Sequence, residues 1–157
     1  MCAVQHNGKA LRYAANELQN DPEIVKLAVQ QNGSALKYTT SADLQKDIEL
    51  VKLAVKQDGK VIRYLLNELQ CNFEIVKLAV QQYGRALEYA SAELKNNDEI
   101  VKLAVQQMGT ALEFASTALQ NDREIVRLAV QKEGAAIEFA SLTLQNDLEI
   151  RRLAHHR

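Results

Sequence analysis

Gly84 to Met108 reads G-R-A-L-E-Y-A-S-A-E-L-K-N-N-D-E-I-V-K-L-A-V-Q-Q-M, and the residue after it is glycine again. The six glycines of the chain, Gly8, Gly33, Gly59, Gly84, Gly109 and Gly134, stand 25, 26, 25, 25 and 25 residues apart, and each opens a variant of the same phrase. A fixed period of this length marks a repeat array, in which no unit can bury its apolar face without its neighbours. The one longer spacing comes from a residue inserted between Tyr38 and Leu44, in a connector rather than in a helix.

The second half of each unit carries the stronger helix signal. Asp21 caps it, Pro22 suits the first helical position, and Glu23 places negative charge in the first turn. The equivalent caps are Asp47, Asn72, Asn97, Asp122 and Asp147. On a helical wheel Ile24, Val25, Leu27, Ala28 and Val29 cover more than half the circumference, which predicts burial on several sides. Glu23, Lys26 and Gln30 share the remaining face. Gly33 is expected to end the helix in a left-handed conformation. The first half of the unit, Ala10-Leu11-Arg12-Tyr13-Ala14 in repeat 1, reads as a shorter helix with only Arg12 pointing outward. Ser91-Ala92-Glu93-Leu94 and its equivalents read as a capped single turn. The rings five residues after the glycines, Tyr13, Tyr38, Tyr64, Tyr89, Phe114 and Phe139, are expected in the core.

These elements predict an all-α fold, a right- or left-handed α-solenoid of about six short helix–turn–helix units. The expected organisation is one array over residues 1–157. Its start, Cys2 to Asn7, matches the tail of a long helix, and its end, Glu149 to Ala154, matches the beginning of one. That phasing suggests a fragment of a longer array, or chains stacked end to end.

Composition narrows function. Nineteen Lys and Arg face twenty Asp and Glu, for a net charge of −1, without the basic surplus of a dedicated nucleic-acid binder. Two cysteines, Cys2 and Cys71, form no disulfide framework, and apolar runs of three or four residues are too short to span a membrane. The expectation is a cytoplasmic protein, in its own cell or in a host. His6, His155 and His156 lack the neighbouring ligands of a metal site, and the isolated glycines form no phosphate loop. No catalytic, cofactor or metal residue is expected. The columns Glu23, Glu49, Glu74, Glu99, Glu124, Glu149 and Lys26, Lys52, Lys77, Lys102, Arg127, Arg152 lie three residues apart and read as a solvated charge ladder.

Binding specificity is expected where the units differ. Arg12, Lys37 and Arg63 on the first three short helices give way to Glu88, Glu113 and Glu138 on the last three. Tyr83, Arg85 and Met108 flank the central glycines. Repeat 3 departs most, with Leu65, Leu66 and Phe73 where other units carry different residues. These positions make an apolar patch, or else they fill the gap that the insertion opens. The expected role is a protein–protein interaction scaffold with no nucleic-acid or membrane partner. The alternative is a binding arm of a larger bacterial effector or enzyme.

The unit G-x-A-L-x-[YF]-A-S-x-x-L-x-x-D-x-E-[IV]-V-x-L-A-V resembles the repeat of the family described as domain of unknown function 4116, over essentially the whole chain. The resemblance implies tandem short helices in bacterial and protist proteins, some of them secreted effectors, and no activity to transfer. A weaker similarity is to leucine-rich variant repeats, which pair an α-helix with a 3₁₀ helix.

Overall fold

The computed structural model describes residues 7–155. Among them there is no strand, and each repeat contains three helical pieces. In repeat 5 these are a six-residue 3₁₀ helix, Gly109–Phe114, a single α-turn, Thr117–Gln120, and a ten-residue α-helix, Arg123–Lys132. The other repeats keep the same order. The short first helix of the sequence reading is therefore a 3₁₀ helix.

The six predicted caps all form. Asp21, Asp47, Asn72, Asn97, Asp122 and Asp147 each accept, through Oδ1, the backbone N–H three residues on, at 2.9 to 3.2 Å. Pro22 stands at the first turn, where a missing N–H costs nothing.

The chain divides into two compact units, Met1–Ala79 and Val80–Arg157. In the first, the long helix Pro22–Gln31 packs on the 3₁₀ helices Gly8–Tyr13 and Gly33–Tyr38 and on the long helix Ile48–Gln57. In the second, Asp98–Gln107 packs in the same way on Gly84–Tyr89, Gly109–Phe114 and Arg123–Lys132. Each unit is thus a layer of long helices against a layer of 3₁₀ helices, stacked repeat on repeat. Ile24, Val25, Ala28 and Val29 and their counterparts are buried between the layers, and Leu27 is half-buried.

The glycines do not work as expected. Among the described residues no glycine has a positive φ. The long helix ends instead on an extended residue, Asn32 at φ −156° and ψ 109°, which also caps the following 3₁₀ helix. Glycine is required by close approach. A Cβ on Gly33 would lie 2.2 Å from the carbonyl oxygen of Ala54, and one on Gly109 would lie 2.4 Å from that of Ala129. Gly and the small Ala of L-A-V together let the 3₁₀ helix sit directly on its own long helix.

The aromatic rings are not in the core. Tyr13 is 83% exposed, Tyr64 is 43% exposed, and Tyr38, Tyr89, Phe114 and Phe139 are half-buried. The third and fourth positions of G-x-A-L-x-[YF] face the long helix, and the ring stands at the last residue of the 3₁₀ helix, beside the charged residue. Ala35, Leu36, Val61 and Ile62 are buried at those inner positions.

Candidate functional site

The 3₁₀ helices present their variable residues outward. Arg12, Lys37 and Arg63 are exposed, and each cation stacks on a ring. The Arg12 guanidinium lies 5.7 Å from the Tyr13 centroid, and Arg63 lies 4.5 Å from that of Tyr64. Lys37 Nζ lies 5.0 Å from the Tyr38 centroid and 5.2 Å from that of Tyr64, so it bridges two repeats. With Lys9 and Lys60, the three 3₁₀ helices of the first unit carry five cations and no carboxylate.

The second unit carries the opposite pattern at the same positions. Glu113 and Glu138 are exposed and Glu88 is half-exposed. Arg85 donates to Glu88 Oε2 at 2.9 Å, and its guanidinium lies 5.4 Å from the Phe114 centroid. The hydrogen bond to Glu88 holds the Arg85 guanidinium more firmly protonated. Tyr83 and Met108, half-buried, occupy the cap position ahead of the glycine without capping through a side chain. Asn7, Asn32 and Asp58 do cap there, each accepting the N–H two residues on at 3.0 Å. Glu133 accepts from both the N–H and the hydroxyl of Thr110, at 3.2 and 3.0 Å.

Repeat 3 resolves the two readings of its leucines. Leu65 is 8% exposed and fills the interior, whereas Leu66 is 37% exposed. Both line a hollow of about 240 Å³ with Leu36, Val61, Lys37, Gln45 and Tyr64. Phe73 is half-buried beneath Lys77, whose Nζ lies 5.6 Å from its ring, and it does not line this hollow. Cys71 is exposed.

The hollow sits where the joint between repeats has been rewritten. Between repeats 1 and 2, Asn20 Oδ1 accepts from the Thr39 hydroxyl, the Thr40 N–H and the Ser41 N–H at 2.9 to 3.0 Å. In the second unit Asn96 and Asn121 accept from the hydroxyls of Ser116 and Ser141 at 2.5 and 2.6 Å. In the repeat 2–3 joint, Lys46 takes the Asn position and Leu66 takes the Ser position. Lys46 instead pairs with Glu68 at 3.1 Å. Leu66 makes no side-chain cap, whereas Ser41, Ser91, Ser116 and Ser141 each cap their short helix.

One recurrent residue escaped sequence reasoning. Gln19, Gln45, Gln70, Gln120 and Gln145 each donate Nε2 to carbonyls at the end of the preceding 3₁₀ helix or just beyond it, at 2.8 to 3.3 Å. The signal was present as a polar residue that recurs after the connector leucine. The insertion at Thr39–Thr40 is absorbed here, since Gln45 reaches the Thr39 carbonyl at 2.8 Å.

On the opposite surface the charge ladder forms in places. Glu49 and Lys52 pair within a helix at 3.5 Å, and Lys102 reaches Glu124 of the next repeat at 3.2 Å. Arg123 bridges Asp147 at 2.6 Å and Glu149 at 2.7 Å. Its hydrogen bond, with that from the Ile150 N–H, holds the Asp147 carboxyl below the usual carboxylate range. His155 is exposed, while Cys2, His6 and His156 lie outside the described residues. Among the described residues no helix is long and apolar enough to cross a membrane.

No curated protein and no solved structure matches the chain. A family model, Domain of unknown function (DUF4116), matches residues 1–42, 40–70, 72–120 and 122–154. The last two matches begin at the helix caps Asn72 and Asp122, two periods apart, so a full match spans a pair of repeats. With four tandem matches over nearly its whole length and the 3₁₀–turn–helix unit they repeat, the chain belongs to this family of helical repeats.

Proposed function

We propose that this chain is a non-catalytic scaffold that binds a protein partner through the outward face of its 3₁₀ helices. The observation that carries the reading is that the rings lie outside the core, Tyr13 and Tyr64 exposed and the other four half-buried. Large rings left at the surface beside cations are costly to solubility, and they are the residue types that supply most of the energy at protein interfaces. The core does not need them, because Leu11, Ile62, Leu87 and Leu112 already fill the space between the layers. Tyr13, Tyr38 and Tyr64, with Arg12, Lys37 and Arg63, present a basic aromatic surface in the first unit. Arg85, Glu88, Glu113 and Glu138 present an acidic one in the second. A partner is selected by charge as well as shape, because a like-charged segment is repelled.

The reading is tested by affinity capture from a lysate with the intact chain and with Arg12, Lys37 and Arg63 all changed to Glu. Loss of captured proteins, with an unchanged thermal melt, is the expected result. An identical set of captured proteins would contradict the reading.

A further inference from the structure

We infer that the hollow between repeats 2 and 3 seats a single aliphatic side chain of an acidic peptide segment. This rests on the binding-scaffold reading and adds the chemistry of the partner. The hollow's volume, about 240 Å³, is below the roughly 300–1,000 Å³ of a small-molecule site and has room for one aliphatic side chain. Its floor is aliphatic, formed by Leu36, Val61 and Leu65, and Leu66 forms an exposed wall. Lys37 and Tyr64 complete the lining.

The hollow lies at a joint that differs from the others, and one of the changed residues, Leu66, lines it. The Asn–Ser joint found between repeats 1 and 2, and again inside the second unit, is lost on both sides at once, as Lys46 and as Leu66. Leu66 gives up the helix cap that Ser provides in other repeats, and its side chain lines the hollow while remaining 37% exposed.

Charge selects the occupant. Lys37 stands at the hollow, Lys60 and Arg63 are on the helix that forms its far side, and Lys9 and Arg12 lie further along the same surface. The nearby Glu68 is neutralised by Lys46. A chain crossing this surface is therefore favoured when it carries carboxylates on either side of its anchor. Single-stranded nucleic acid would also meet cations and rings, but it reads such a site by stacking bases on ring faces. One face of Tyr13, of Tyr38 and of Tyr64 already carries a cation, and an aliphatic hollow offers a base nothing to stack on.

The test uses the full chain and fluorescein-labelled peptides of sequence Asp-Glu-Asp-Leu-Asp-Glu-Asp and Asp-Glu-Asp-Ala-Asp-Glu-Asp, followed by anisotropy near physiological salt. The Leu peptide is expected to bind about tenfold more tightly than the Ala peptide, as burial of one such side chain implies. Leu66→Ser restores the residue of other repeats and is expected to reduce that difference to about twofold or less. Leu66→Ala, the residue type at the same place in repeat 1, provides a second variant with the same expected loss. Lys37→Glu is expected to weaken both peptides. Equal binding of the two peptides, with both weakened by Lys37→Glu, overturns the anchor hollow and leaves the charged-surface reading standing. No binding of either peptide overturns the acidic-segment inference, and the capture experiment then decides the scaffold reading separately. Oligothymidylate displacing the Leu peptide at matched concentration also overturns it.

Discussion

Two joints inside the first unit connect the same elements in different ways. Between repeats 1 and 2, Asn20 gathers Thr39, Thr40 and Ser41 into a polar knot, and Thr39 is buried to 1% exposure. Between repeats 2 and 3, an exposed Lys46–Glu68 pair and two leucines stand in its place. Both joints hold the 3₁₀ layer together over the same kind of long-helix layer. A stacked array can therefore give up one surface joint, because the buried layer beneath carries most of the stability. The site then becomes a local edit of a repeated plan.

If that is correct, damage to the shared layer outweighs damage to either joint. Ile75 is fully buried, and Ile75→Ala is expected to cost about 3 kcal/mol by urea denaturation. Asn20→Ala comes next, at about 2 kcal/mol, because it removes the acceptor of the buried Thr39 hydroxyl and leaves the Ser41 N–H only its 3.2 Å bond to Thr39 Oγ1. A larger loss from Asn20→Ala than from Ile75→Ala would reverse the comparison. Tyr64→Ala is expected to cost about 1 kcal/mol, since a ring this exposed gives up little burial. Leu66→Ser is expected to leave stability within about 1 kcal/mol of wild type, the regained cap offsetting the lost apolar contact.

The residues explain what the sequence could disclose. The long helices were legible because their caps and their apolar face are encoded within one helix, where a 3.6-residue period leaves little freedom. The rings were not. The letters G-x-A-L-x-[YF] do not tell an α-helix from a 3₁₀ helix, nor show that the ring at the last position stays exposed or half-buried, because contact with other elements decides both. The glycines were legible as a period but not as a cause. The carbonyls of Ala54 and Ala129 that exclude a Cβ lie about twenty residues further along the chain. Of the candidate site, the charge reversal from Arg12, Lys37 and Arg63 to Glu88, Glu113 and Glu138 could be read directly. The hollow could not, because its lining comes from two facing repeats, Leu36, Lys37 and Gln45 on one and Val61, Tyr64, Leu65 and Leu66 on the other.

The smallest expected effect is in the second unit, where repeats 5 and 6 add an ion pair to the Asn–Ser joint. Asp147 has its carboxyl pKa lowered by Arg123. A lowered acid contributes stability that is fully present above its unfolded value, about pH 4, and is lost as pH falls through the folded value. Arg123→Ala should therefore depress the melting temperature slightly and equally at pH 7 and pH 5, and by less at pH 3. A deficit that grew on acidification would show that the pair has been read with the wrong sign.

The central claim is that the rings of the first unit lie at the surface and stand among cations. The chain contains five tyrosines and no tryptophan, so with Tyr83 and Tyr89 changed to Phe its tyrosine fluorescence reports on Tyr13, Tyr38 and Tyr64 alone. Quenching by iodide and by caesium ions in the folded chain is the measurement. The account predicts strong quenching by iodide and weaker quenching by caesium, because Tyr13 and Tyr64 are exposed, and Tyr38 half-buried, beside Arg12, Lys37 and Arg63. Little quenching by either ion would place the rings in the core and contradict the account.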